Sequence, residues 1–424
     1  MNRAPLVVPL LLLLAGCSAP GAVTNAEQPA PKPMPDLPAN NFDFGRAQSL
    51  ADSAAPLVEA QNAFGARLVA HLESGNSAKT NLLVSPTSVW QVLALARVGA
   101  RGKTQSELTN LLASQNLPDA KLGAGNAALR SLLAEQKGAT ISLANSAWFA
   151  DGFAVSPAFR ASAERDFSAN IESFSDNAPN ATAQRVNTWV ATHTRNEIRE
   201  IITPADVRPP MAALLVNALY FRGAWHVPFD KTATKPAPFH LAGGAKVQVP
   251  MMRGERGDAF LEGESFDGVR LPYENTNCAL WVLLPKTGQT PGAVLGELAR
   301  PASRRLRASG LVNLQLPRFE MEWRERLNDS LVALGAPTAF GAADFGSIGT
   351  PTANISAVIH ATKMRVDEEG TVAAAATFLG MAGAAAPPPQ KPRTLIVDRP
   401  FVACLVEETS GARLFEGVVY DPTR

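Results

Sequence analysis

An α+β fold follows from three features of the sequence. Helical periodicities gather in the first half, apolar strand-like runs gather in the second, and the two do not alternate as they would around a doubly wound sheet. The 424 residues suffice for one large domain or two ordinary ones. With 46% hydrophobic and 18% charged residues, the chain can bury a sizeable core. A formal net charge of +1 argues against a nucleic-acid partner. No P-loop, dinucleotide glycine fingerprint or Gly-x-Ser-x-Gly elbow is present, and no cofactor is expected.

The first 17 residues read as a processing signal. Arg3 supplies the positive end, residues 6–14 form a short apolar core, and "LAGC" closes it at Cys17. Such a stretch is too short to span a bilayer as a mature helix. Small residues before the cysteine resemble a bacterial lipobox, which implies that Cys17 is lipidated and anchors the chain. Ser18 in the next position favours the outer membrane, with the domain periplasmic or at the cell surface. Residues 18–52 are rich in Pro, Ala and Asn and read as an extended tether, leaving 53–424 as the folded domain.

Within that domain "APLVEAQNAFGARLVAHLES" places Leu57, Phe64, Leu68 and Leu72 at helical spacing. "NLLVSPTSVW" reads as a strand and then a helix capped by Ser85 before Pro86. Thr104 and Glu107 have the spacing of a capping box for the next helix. "ISLANSAWFA" reads as a strand, and "RVNTWVATHTRNEIREII" as a helix with Val186, Trp189, Val190 and His193 along one side. "AALLVNALYFRGAW" suits a strand buried on both faces. "VRLPYE", "CALWVLLP", "VNLQLPRFEMEW", "FVACLVEE" and "RLFEGVVYDP" are strand-like, with one helix at "RLNDSLVALGA".

After Cys17 only Cys278 and Cys404 remain. Export permits a disulfide between them, but sequence sets no distance, and both lie in apolar runs where buried thiols are also common. The five histidines lack a metal-ligand spacing, so no metal site is expected.

Across residues 54–424 the chain resembles the serpins, metastable inhibitors of serine and some cysteine proteases. The resemblance rests on "NLLVSPTSV…GARGKTQSEL", "LLVNALYFRGAWHVPF", "VPMM", "LPRFEMEWRERLNDSLVALGAPTAF", "HATKMRVDEEGTVAAAAT" and "DRPFVACLVEETSGARLFEGVVYDP", in order and at compatible spacing. It implies three β-sheets, eight or nine helices, and an exposed reactive loop near the C-terminus, here about 368–398.

The resemblance also implies roles. Glu368, Glu369, Gly370, Thr371, Ala373, Ala374, Ala375, Ala376 and Thr377 match the hinge by which the loop enters a large sheet as an extra strand. Taken alone, "TVAAAATFLGMAG" reads as an alanine-rich helix. In this frame it reads as the insertable strand: residues 371–386 hold neither charge nor proline, either of which is costly in a central strand. About 14 residues at roughly 3.3 Å each would carry an attached protease about 46 Å.

Counting from the hinge glycine puts the reactive bond between Ala384 and Ala385, with Leu379, Met381 and Ala382 as alternatives. The 30 positions from Gly370 to Pro400 exceed the usual loop, and the prolines at 387–389 disfavour cleavage beyond Ala386. Alanine before the cut implies an elastase-like serine protease as the covalent partner. Ser85, Ser88, Asn217 and His360 match the polar shutter, and Trp225, Arg318 and Glu368 match the breach where the loop enters. Arg399-Pro400-Phe401 matches the turn that returns the chain to core. The chain would be bait rather than an enzyme, and a monomer. The competing expectation is a member that has lost inhibition and acts as a binding or chaperone module, or as a plain protease substrate.

Overall fold

The computed structural model describes residues 44–300, 306–351, 353–371 and 391–424. It opens with a helix, Phe44–Gly75, whose Leu57, Phe64 and Leu68 are buried while Leu72 is half-buried. This helix begins inside the stretch expected to be tether, so the boundary at 52 is corrected to about 44. The reason is local. The last proline before the helix is Pro38, and Ala47 and Ala51 are small enough to pack on Leu132 of the Asp119–Ala134 helix.

Ser85 caps the Pro86–Gly99 helix, accepting from the Ser88 N–H at 3.2 Å. The capping box expected at Thr104 and Glu107 does not form. The Gly102–Leu111 helix starts after Arg101 with no side-chain cap. Thr104 Oγ1 instead accepts from the Asp344 N–H at 3.0 Å, and Glu107 accepts from the N–H and hydroxyl of Thr338 at 2.8 and 2.7 Å. Both side chains serve tertiary contacts.

The helix expected across 185–202 occupies Pro179–His193 and stops there. The Thr194 hydroxyl donates to Val190 O and accepts from Ile198 N–H, and Arg195 and Asn196 take left-handed φ values of 55° and 63°. That conformation ends an α-helix.

Nine α-helices and three large sheets are present among the described residues. The central sheet has six strands in the order Phe319–Arg326, Ile355–Val366, Gly370–Thr371, Ala213–Ala224, Ala139–Ala150, Ala169–Phe174. A second six-stranded sheet contains Cys278–Pro285, Phe401–Glu407 and Ala412–Val419, each buried along its whole length. The Pro86–Gly99 helix, buried at almost every position, touches strands of both sheets and forms the layer between them. A four-stranded sheet carries Arg393–Ile396 at its edge, parallel to Val312–Pro317.

"VNLQLPRFEMEW" is two strands rather than one. Val312–Pro317 belongs to the four-stranded sheet, Phe319–Arg326 to the central one, and the chain changes sheet at Arg318. Cys278 and Cys404 are both free and buried. They lie on adjacent strands, but Cys278 is level with Glu407 and Cys404 with Trp281. Three residues of offset separate them by about 10 Å along the strands, beyond disulfide reach.

Candidate functional site

The two middle strands of the central sheet are paired at one end and parted at the other. Ile355–Val366 runs parallel to Ala213–Ala224 from Ile355 opposite Ala213 to Thr362 opposite Leu219. Past that point the two-residue strand Gly370–Thr371 lies between them, antiparallel to both. Thr371 stands level with Val366 on one side and Gly223 on the other, and Gly370 with Ala224. Gly370 has φ of 155°, and a Cβ there would stand 2.2 Å from the Gly223 carbonyl oxygen. Only glycine fits that conformation and that approach.

The acids before the glycine are held by the opposite wall. Glu368 is 2% exposed, and its two carboxylate oxygens share the Arg318 Nε–H at 2.8 and 2.7 Å, with Arg318 Nη2 2.6 Å from Oε1. The Thr234 hydroxyl donates to the same carboxylate. Burial alone would raise the Glu368 carboxyl, but these hydrogen bonds outweigh it and hold it below the usual range. The main chain is gripped as well. Phe229 N–H donates to Glu368 O at 2.8 Å, Trp225 N–H to Glu369 O at 2.9 Å, and Trp225 Nε1 to Asp367 O at 2.8 Å. Lys231 pairs with Glu369. Beneath them Tyr273 stacks on Trp225, and its hydroxyl meets Thr371 Oγ1 at 2.6 Å in the core.

Where the two strands still pair, a polar cluster is buried. His360 lies opposite Asn217 in the parallel register, and both are fully buried. His360 Nε2 accepts from the Ser85 N–H at 2.9 Å, and burial pushes the imidazole down to about 3. Asn217 Nδ2 donates to Ser88 O at 2.8 Å and to Asn145 Oδ1 at 2.5 Å, and Asn145 Nδ2 donates to Gln91 Oε1 at 3.0 Å. Four atoms of this cluster have no partner: Ser88 Oγ, Asn217 Oδ1, Gln91 Nε2 and His360 Nδ1. Buried polar atoms are normally paired, so four orphans at one place need an explanation.

The structure thus brings Ser85, Ser88, Asn217 and His360 together in one cluster, and Trp225, Arg318 and Glu368 in another. Sequence reasoning missed Asn145, Gln91, Thr234 and Tyr273. The available signal was an uncharged polar residue inside an apolar strand or helix, as Asn145 is within "ISLANSAWFA". Ala373, Ala374, Ala375, Ala376, Thr377, Ala384, Ala385 and Cys17 lie outside the described residues. No group of three metal-ligating side chains is present among the described residues, and none of their helices is long and apolar enough to cross a membrane.

Residues 59–422 match the family model described as Serpin (serine protease inhibitor). The chain belongs to the serpins. Rice Serpin-Z2B is 30% identical over 404 residues, covering 85% of this chain and 96% of its own. The crystal structure of Serpin48, described as a highly specific serpin in the insect Tenebrio molitor, is 28% identical with a TM-score of 0.74, covering 86% of this serpin and 97% of the insect chain. Human thyroxine-binding globulin, solved with its hormone, shares the fold at 23% identity and TM-score 0.77, covering 89% of this chain and 100% of its own. Serpins are generally protease inhibitors rather than catalysts.

In this serpin the chain is also anchored where the described residues resume at 391. Arg393 N–H donates to Leu311 O at 2.9 Å where the edge strand begins, and the Arg393 guanidinium lies over the Phe260 ring. Arg399 donates to Pro285 O at 2.8 Å, and Phe401 starts the next buried strand.

Proposed function

We propose that this serpin is a trapping inhibitor of elastase-like serine proteases, acting by cleavage of its loop and insertion of the cut end into the central sheet. The observation that carries the reading is the Gly370–Thr371 strand, which already lies between the parted ends of two parallel strands that pair directly with each other lower down. The target's serine would attack the carbonyl carbon of Ala384 and expel the amine of Ala385. An ester-linked acyl-enzyme would remain on the cut loop. The serpin supplies no catalytic group.

The sheet's own register supports this reading. Continued downward from Thr371, it brings Thr377 level with both His360 and Asn217. Thr371 turns its hydroxyl into the core, and Thr377, six residues on, would face the same way. An inserted Thr377 hydroxyl would then stand beside two residues that each keep an unpartnered atom, Asn217 Oδ1 and His360 Nδ1. The Ala213–Ala224 strand runs out level with residue 381, so insertion through Met381 adds ten residues between the two strands, over about 33 Å. Cleavage after Leu379 would leave that length part-filled, whereas cleavage after Ala384 would not. Insertion also exchanges one parallel ladder for two antiparallel ones, the slightly more stable kind. With roughly ten added main-chain hydrogen bonds at about 1 kcal/mol each, the driving force is on the order of 10 kcal/mol.

The test is to mix the purified chain, starting after residue 17, with an elastase-like protease on a denaturing gel, with mass spectrometry of the released fragment. A denaturant-stable adduct and a fragment beginning at Ala385 are expected. Cleavage without adduct, by this and other proteases, would leave a substrate or binding module. Anchoring through Cys17 is part of the same proposal and rests on the "LAGC" motif. A Cys17→Ser chain expressed in a Gram-negative host should leave the membrane fraction.

A further inference from the structure

Away from the central sheet, one hollow combines a buried acid, an aromatic face and an ammonium. It has a volume of about 640 Å³ and opens between the end of the Phe44–Gly75 helix, the start of the Pro291–Leu298 helix and Tyr420. Glu73 lines it and is 6% exposed. Its Oε1 accepts from the Tyr420 hydroxyl and, at 3.1 Å, from Lys79 Nζ, whereas its buried Oε2 has no hydrogen-bond partner. Leaving a buried carboxylate oxygen unmet is costly, so the geometry asks for a donor.

Lys79 Nζ also stands 5.4 Å from the centre of the Tyr420 ring, within cation–π range. This lysine is not a core residue. Its side chain is 45% exposed, and it sits in a turn at φ of 50°, where residues other than glycine are uncommon. The Asn76 side chain closes that turn with bonds to the N–H and carbonyl of Thr80. The long helix points its carbonyl end at the hollow with no basic residue in its last turn, which adds negative potential there.

We propose that the hollow binds a small organic amine, whose ammonium replaces that of Lys79 between Glu73 and the Tyr420 ring and whose apolar body lies against Ala70, Pro285 and Pro400. The tethered lysine identifies the group the box accepts. An ammonium has three donors, and a free ligand approaches Glu73 Oε1 without the constraint of the Lys79 turn. A purely structural Glu73–Lys79 pair predicts that removing Lys79 only costs stability. A ligand box predicts that removing it frees the site.

Calorimetric titration of the purified chain with phenethylamine, and with 2-phenylethanol as the neutral match, tests this. Saturable one-site binding of the amine is expected, with none of the alcohol. Lys79→Gly, which suits φ of 50°, should tighten amine binding about tenfold, and Glu73→Gln should weaken it about tenfold or more. The proposal is overturned if neither wild type nor Lys79→Gly gives saturable binding, if Lys79→Gly fails to tighten it, or if the alcohol binds as well as the amine. Should Glu73→Gln not fold, the lysine variant and the alcohol still decide.

Discussion

Replacing Thr377 by valine isolates one hydroxyl on a strand that forms only on insertion. Valine keeps the shape and the strand preference of threonine, so pairing itself is not impaired. What changes is the partner offered to His360 and Asn217, whose Nδ1 and Oδ1 have none in the present state. Leaving such a group unmet costs about 1–3 kcal/mol, a sizeable part of a driving force on the order of 10 kcal/mol. If half of that loss is felt at the rate-limiting point of insertion, the rate falls about two- to tenfold. The partition between trapped protease and released, cleaved inhibitor shifts by the same factor.

The assay is the number of inhibitor molecules consumed per protease trapped, together with denaturant midpoints of the uncleaved and cleaved forms. Thr377→Val should consume more inhibitor and lower the cleaved form's stability, with the uncleaved midpoint unchanged. Thr377→Ser should restore both values. An unchanged partition with an unchanged cleaved form would refute the register argument. Equal loss in both forms would mean that Thr377 already serves the uncleaved fold.

Three further outcomes follow from described contacts. His360 is held near 3 by burial, below its unfolded value of about 6.5, so the unfolded chain binds the extra proton between those limits and stability falls as pH drops through that window. Unfolding free energies from pH 7 to pH 4 should decline less steeply in His360→Gln, by about 1.4 kcal/mol per unit of pH below 6. Arg318→Ala should cost about 1–3 kcal/mol in a chemical denaturation series, because Glu368 stays buried while half-exposed Arg318 contributes less than a fully buried partner would. Since the Glu368 carboxyl is held below its usual range, that difference should vanish as pH falls through the folded value, when both chains carry it protonated. Burial raises both the Cys278 and Cys404 thiols, so in the chain starting after residue 17 a thiol reagent should count two groups only after denaturation, and a reductant should leave the midpoint unchanged.

Much of this was legible in the sequence where the signal was local. Apolar runs became buried strands, and Ser85 before Pro86 became a cap, because burial and capping depend on a few adjacent residues. What was not legible depended on contacts between distant segments. Thr104 and Glu107 have capping-box spacing, yet residues 338–344 recruit both. "VNLQLPRFEMEW" reads as one strand because nothing local marks Arg318 as the point where the chain leaves one sheet for another. Asn145 joins the polar cluster through its cross-strand position opposite Asn217, and that register lies beyond any single segment.

On the proposed mechanism, the same register would tie the two clusters together. The acids at 368 and 369 are clamped by Arg318, Lys231 and the main chain of Trp225 and Phe229, so the parted ends of the two strands are held with Gly370–Thr371 in place. Lower down, the strands meet through a parallel ladder that runs past His360 and Asn217 while their polar atoms go partly unpaired. A sheet meant only to be stable would bury apolar residues there, because an unmet polar atom costs more than its apolar replacement. Keeping the cluster polar weakens the closed sheet at the level an inserted Thr377 would reach. The cost borne by the closed form would thereby become part of the free energy released on insertion.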